Sequence, residues 1–172
     1  MNVRTMALAI VVAAASASAA LAQTPTKIND FNKWAAYRYA GQSGVICYIL
    51  AKPEQELPAT RNGQAVNHGQ VVFMVSNRPS EGVTGEPMFQ VGYPFRQGSE
   101  VSVTVDGKPF VMFTSGDGAW TKNPSDDQSL VAAMRAGNNM EVSGVSSRGT
   151  NTRYIYSLSG VTAALREISN CS

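Results

Sequence analysis

The chain has 172 residues, a formal net charge of +2 and two cysteines. This length suits one domain built around one hydrophobic core. The near-balanced charge, with no basic block and no interleaving of basic and aromatic residues, argues against nucleic acid or an anionic membrane surface as a partner.

The chain opens "MNVRTMALAIVVAAASASAALAQ": Arg4, an apolar run from Met6 to Ala15, then small residues ending in Ala20-Leu21-Ala22. That is the layout of a secretory signal peptide over residues 1–22, cut before Gln23. The apolar run falls short of the ~20 residues that span a bilayer, so no integral membrane segment is expected after cleavage. Residue 23 is not cysteine, which removes a lipid anchor on the first mature residue. Residues 23–30 read as a flexible lead-in, and 31–172 as a single domain that is periplasmic, outer-membrane-associated or secreted. In an oxidising compartment an even cysteine count favours a disulfide, and the one intramolecular pairing available is Cys47 with Cys171. Two free thiols or an intermolecular bridge are the alternatives.

"KWAAYRYA" and "VICYIL" flank the turn-forming "GQSG" and predict a first hairpin. A polar segment from Ala51 to about Gly69 follows, long enough to be a surface excursion or a loop with a functional face. "QVVFMVS" is apolar on both faces, as in a strand covered on both sides. Beyond the Gly/Pro-rich "NRPSEGVTGEP", Phe89, Val91, Tyr93 and Phe95 alternate onto one face, with Pro94 marking an edge or bulge. In "EVSVTVDGKPFVMFT", Val101, Val103 and Val105 alternate with polar residues and Asp106-Gly107 supplies a tight hairpin turn. "NPSDDQSLVAAMRAG" predicts a mid-chain helix with Ser125 as N-cap, Gln128 completing a capping box, and a Leu130, Val131, Met134 stripe ended by Gly137. "MEVSGVSSRGTNTRYIYSLSG" is another hairpin, with Tyr154, Tyr156 and Leu158 on a common face. A C-terminal helix carries Val161, Ala164, Leu165 and Ile168 at i, i+3, i+4, i+7. The pattern is all-β with two short helices; a two-sheet β-sandwich is favoured and a closed barrel comes second.

Catalytic groupings do not emerge. His68, the one histidine, sits in "NHGQ" and reads as a solvated loop residue; G-x-S-x-G is absent. The cysteines lack C-x-x-C spacing, and one histidine cannot complete a zinc set. "SGDGAW" lacks the alternate oxygen ligands of a calcium loop; it reads as a turn in which Gly116 and Gly118 allow positive φ and Trp120 packs on the sheet. No catalytic, metal or cofactor-binding residue is assigned, and no cofactor is expected. Arg78 and Glu81, in "RPSEG", and Arg148 and Arg153, around a hairpin tip, are candidates for an interaction surface. An Arg78–Glu81 ion pair holding its loop, and a solvated turn needing Gly149, are the blander readings. Trp34, Tyr37, Tyr39, Tyr93, Trp120, Tyr154 and Tyr156 are assigned to core packing, with one or two exceptions.

The segments "FNKWAAY", "GVICYIL", "VFMVSNRPSEGV", "FTSGDGAW", "LVAAMRAGNNMEVSGVSSRGT", "YIYSLSG" and "NCS", in this order, resemble the invasion-associated locus B family of exported alphaproteobacterial proteins. The likeness runs from about Ile28 to Cys171 and is most specific from Leu130 to Gly160. It implies an immunoglobulin-like sandwich, export to the periplasm or outer membrane and, for blood-borne members, a part in entering erythrocytes or other host cells. Cys47 and Cys171 match the family's cysteine pair, and no catalytic motif carries over. The expected function is a non-catalytic interaction module with a protein partner in the envelope or on a host cell. The alternative is a periplasmic protein with no invasion role: a small-ligand binder or hydrolase using residues 51–69 and His68 as part of a cleft, or an envelope stress or structural protein.

Overall fold

The computed structural model describes residues 24–171 apart from 59 and 62; the expected signal peptide, residues 1–22, lies outside the described residues. In chain order come β1 (Thr26–Phe31), β2 (Trp34–Gly41), β3 (Gly44–Ala51), β4 (Gln55–Leu57), β5 (Thr60–Arg61) and β6 (Gln64–Ala65). Next are β7 (Val72–Arg78), β8 (Val83–Gln90), β9 (Glu100–Val105), β10 (Lys108–Ser115) and β11 (Gly118–Trp120). Helix α1 (Pro124–Ala136) precedes β12 (Asn139–Val145) and β13 (Asn151–Ser157), and α2 (Val161–Glu167) runs into a 3-10 turn over Ile168–Asn170.

The all-β class and the two helices match expectation. The strands, however, are not divided into two separate sheets. Eleven of them form one antiparallel sheet in the order β1-β2-β3-β7-β8-β11-β10-β9-β12-β13-β4, while β5 and β6 pair with each other. A twisted open sheet of this width curls rather than staying flat, and here it bends until β2, β7 and β8 face β13. The Trp34 indole N–H donates to the Ser157 carbonyl at 3.0 Å. Across the same interior, Phe73 meets Tyr156 with ring centroids 6.0 Å apart, and Phe89 meets Tyr154 at 5.4 Å.

Strand alternation builds this interior. Val101, Val103 and Val105 point inward from β9 and pack with Met140 and Val142 of β12, all fully or almost fully buried. The turn after β9 is the Asp106-Gly107 pair, with φ of 43° and 89°, the left-handed pair that a tight hairpin requires. At one end the helices close the core: Leu130 and Met134 of α1, and Val161, Ala164 and Leu165 of α2, are buried, as is Ile168. Cys171, just past that last turn, is joined to Cys47 of β3 by a disulfide with Cα atoms 5.7 Å apart. Asn77 on β7 secures the same turn by donating to the Ile168 carbonyl at 2.7 Å. Among the described residues no helix is long and apolar enough to cross a membrane.

Several local expectations need correction. The lead-in of residues 23–30 is, from Thr26, the edge strand β1, paired with β2 from Thr26↔Arg38 to Phe31↔Trp34; its almost uniform exposure removes the alternation that marks a strand. Segment 51–69, expected as a surface excursion or a loop with a functional face, contains β4, which pairs with β13. Helix α1 begins two residues earlier than the capping box implies: Asn123 is the N-cap, its side-chain oxygen accepting from the N–H groups of Ser125 and Asp126. Pro124 at the first helical position explains the shift, because its fixed φ is already helical. Gly118 does not adopt positive φ; it leaves room for the Trp120 ring, which a Cβ there would strike. Of the seven aromatic residues assigned to the core, Trp34, Tyr154 and Tyr156 are buried. Tyr37, Tyr39, Tyr93 and Trp120 are half-buried.

Candidate functional site

Opposite the helices, the interior is closed by polar side chains. Thr152, Tyr154 and Tyr156 alternate inward from β13 and are buried. The segment after β8 comes to meet them, stitched between two turns: Val91 N–H donates to the Asp117 carbonyl at 3.0 Å, Phe95 N–H to Gly116 at 2.8 Å, and Arg96 N–H to Val145 at 2.9 Å. The loop before β7 lies against it. Gly92 N–H donates to the His68 carbonyl at 3.1 Å, and a Cβ on Gly92 would stand 2.5 Å from Gly69 Cα and 2.7 Å from the His68 oxygen. Two bare backbones are needed for these loops to touch. Gly69 also has a φ of 66°, and its N–H is held by the Asn67 side-chain oxygen at 2.8 Å.

This contact drives His68 inward. The ring is 3% exposed, which overturns its reading as a solvated loop residue. Nε2 lies 3.1 Å from the Pro58 carbonyl and Nδ1 lies 2.9 Å from the Tyr154 hydroxyl. A carbonyl can only accept, so Nε2 carries the proton and, in the neutral ring, Nδ1 accepts from Tyr154. Tyr154 has one proton and spends it there. Tyr93 therefore donates to the Tyr154 oxygen at 2.7 Å, and its oxygen also lies 2.8 Å from Thr152 Oγ1, whose hydroxyl donates to the Gly144 carbonyl at 3.2 Å. The result is a one-way chain, Tyr93 to Tyr154 to His68 to the Pro58 carbonyl. Burial pushes the Tyr154 phenol far above its ordinary range, and its bond from Tyr93 adds to the shift. Tyr93 is also raised, again chiefly by burial. Both stay protonated, as the chain requires. Tyr156, one turn of the pleat deeper, has a buried hydroxyl with no hydrogen-bond partner among the described residues.

Outside this floor lies a cleft of about 690 Å³. One wall is the Gln64–Gly69 stretch, the other the β12–β13 turn with Ser146, Ser147 and Arg148; Tyr93, Thr152 and His68 form the base. The turn is held by Ser146, whose backbone exchanges bonds with Thr150 and Gly149 at 2.8–2.9 Å. Among the described residues that line the cleft there is no aspartate or glutamate. Among the described residues no three of His, Cys, Asp and Glu gather as a metal set would require.

The four interaction candidates are not brought together. Arg78, at the end of β7, binds Glu81 and Glu86 at 2.7 Å each and the Ser76 hydroxyl at 2.9 Å; these bonds raise its pKa still further above the usual guanidinium value. Arg153 lies on the outer side of β13, 3.4 Å from Glu141. Arg148 alone lines the cleft. Sequence reasoning missed Tyr93 and Thr152 as site residues and misplaced His68. One signal was available: Tyr154 on a core face needs a polar partner for its hydroxyl, and few residues could supply one.

The class defined by these features is a small disulfide-bridged antiparallel β domain whose site is a polar cleft over a buried tyrosine–histidine chain. The model of the family described as Invasion associated locus B (IalB) protein matches residues 45–169, and the protein belongs to that family. The resemblance found in the sequence is thus established, and membership supports an envelope protein of invasion-associated locus B type. No curated protein and no solved structure matches the chain.

Proposed function

We propose that the protein is an exported envelope module that acts by binding, with the cleft between residues 64–69 and the β12–β13 turn as its recognition surface. The observation that carries this is the cleft itself: a concavity in the size range of ligand sites, with a base fixed by an uninterrupted hydrogen-bond chain. Such a base is pre-organised for binding. It is poorly arranged for general base catalysis, because both ring nitrogens of His68 are already bonded inside the protein. Export rests on the N-terminal segment and fits the Cys47–Cys171 disulfide, which suits an oxidising compartment. The partner is a molecule of the envelope or of a host-cell surface. The geometry favours the cleft over a flat surface of loop-tip arginines, since Arg78 and Arg153 are committed to ion pairs.

In-cell photo-cross-linking tests the reading. A photoreactive residue at Ser147, on the cleft rim, should give a discrete adduct in the envelope fraction. The same residue at Lys108, exposed at the start of β10, should not. Equal labelling from both sites, or none from Ser147, would reject the cleft as the recognition surface.

A further inference from the structure

We infer that the cleft takes an acidic carbohydrate, a short glycan bearing uronate-type carboxylates; this rests on the cleft being the recognition surface. The lining presents polar groups from both walls: the Ser147 hydroxyl from one, and the Gln64 and Asn67 amides from the other. That mixture of donors and acceptors suits a ligand with many hydroxyl groups. The strongest acceptors for sugar hydroxyls, carboxylates, are missing from the described lining. The lining's formal charge is that of Arg148, which favours a ligand that carries a carboxylate.

The charge of the rim agrees. Arg148 lines the cleft, and Arg96 stands behind the same turn, its guanidinium 3.1 Å from where a Cβ on Gly149 would lie. Both side chains are exposed, and among the described residues neither has an ion-pair partner, unlike Arg78 and Arg153. A guanidinium beside a carboxylate-free cleft grips a carboxylate with two parallel N–H···O bonds and displaces no protein acid in doing so.

Shape separates a glycan from an acidic peptide. Where Gly69 meets Gly92, beside Pro94 and the Tyr93 ring, the cleft surface carries almost no side chains, leaving a strip on which the C–H face of a sugar ring can lie. An extended peptide needs free backbone groups to pair with. Three of these groups in the walls are used internally: Gly69 N–H by Asn67, Gly92 N–H by His68, and Ser147 N–H by the Pro94 carbonyl at 2.9 Å. The side chains add hydroxyl, amide and guanidinium groups from Ser147, Gln64, Asn67 and Arg148.

Calorimetric titration of the exported chain with four probes tests this: hyaluronan tetrasaccharide and tetragalacturonate as acidic glycans, chitotetraose as a neutral one, and tetraglutamate as an acidic peptide. At least one acidic glycan should bind, with chitotetraose and tetraglutamate each weaker by roughly tenfold or more. Arg148→Ala should bring the acidic glycan down to the level of the neutral one, Arg148→Lys should restore part of the loss, and Arg153→Ala should change nothing. Higher salt should weaken the acidic probes and leave chitotetraose unaffected. Equal binding of the neutral glycan, an indifferent Arg148→Ala, or no heat from either acidic glycan would overturn the inference. Tighter binding of tetraglutamate would overturn it in favour of an acidic peptide. A Ser147 adduct obtained alongside any of these results would leave the cleft standing as the recognition surface, and loss of both would remove the two together.

Discussion

Tyr154 and Tyr156 lie on one strand, both fully buried, yet their hydroxyls have opposite standing. Tyr154 donates to His68 Nδ1 at 2.9 Å and accepts from Tyr93 at 2.7 Å. Tyr156 has no partner among the described residues. Substituting phenylalanine keeps either ring in place, including the contacts to Phe89 and Phe73, and removes one oxygen. In Tyr154→Phe the buried imidazole nitrogen loses its donor while Tyr93 keeps Thr152, so one acceptor is stranded; such a loss costs about 1–3 kcal/mol. In Tyr156→Phe an unpaired polar atom leaves the core, and the change should be neutral or stabilising by up to about 1 kcal/mol. Taking about 2 kcal/mol for the first, and a urea slope of about 2 kcal/mol per molar, the midpoint should fall by about 1 M. The corresponding fall in Tm is about 4–8 °C for a domain of this size. Urea titration followed by fluorescence, run on both variants and the parent, reads the difference directly. If Tyr154→Phe is no less stable than Tyr156→Phe, the hydrogen-bond chain is not holding the cleft floor.

Three further outcomes are expected. Gly92→Ala meets backbone atoms of Gly69 and His68 at 2.5–2.7 Å, neither able to yield; thermal melts should show a loss of about 1–3 kcal/mol. Cys171→Ser opens a link across a sequence separation of 124, which the chain-entropy model values at about 4–5 kcal/mol; hydrogen exchange should accelerate first in α2 and the Ile168–Asn170 turn. The Asp106 carboxylate accepts from the Asn138 and Asn139 N–H groups at 2.7 and 2.9 Å, and these bonds lower its pKa below the ordinary 3.8. A depressed carboxylate contributes stability that is fully present above the ordinary value and is lost as pH falls through the folded one. Acid titration of stability should therefore show a steeper decline below about pH 4 in the parent than in Asp106→Asn.

What could be read in the sequence follows the range of each interaction. The β9–β10 hairpin was legible because its period-2 valines and its Asp106-Gly107 turn act on neighbours. The α2 stripe was legible for the same reason, its four apolar positions lying within two turns. His68 was not, because its burial depends on Tyr154, which is 86 residues away, and on two glycines meeting across separate loops. The continuity of the sheet was equally hidden: β4 has three residues and joins the sheet through Tyr154↔Glu56 and the pairs beside it, a distant match with no local mark. Strand β1 lacks alternation because, as an edge strand, almost all of it is exposed.

The placement of the disulfide and the cleft has a consequence for how the molecule can change. Strand β7 runs between them: Val72 begins next to the His68 loop, while Asn77 pairs with Cys47 and holds the Ile168 turn. At about 3.3 Å per residue the two ends are separated by roughly 15–20 Å. β13 runs the same course, from Thr152 at the cleft to Ser157, whose carbonyl receives the Trp34 indole. The apolar interior between them, Phe73, Phe89 and Tyr156, is shared by both ends. The disulfide and helices are therefore linked to the cleft through these strands and the interior they share. Residues on the Ser146–Gly149 turn, exposed apart from Ser146, make almost no contribution to that interior. Their substitution can retune recognition while the fold persists, because sites this far apart with no shared partners add nearly independently.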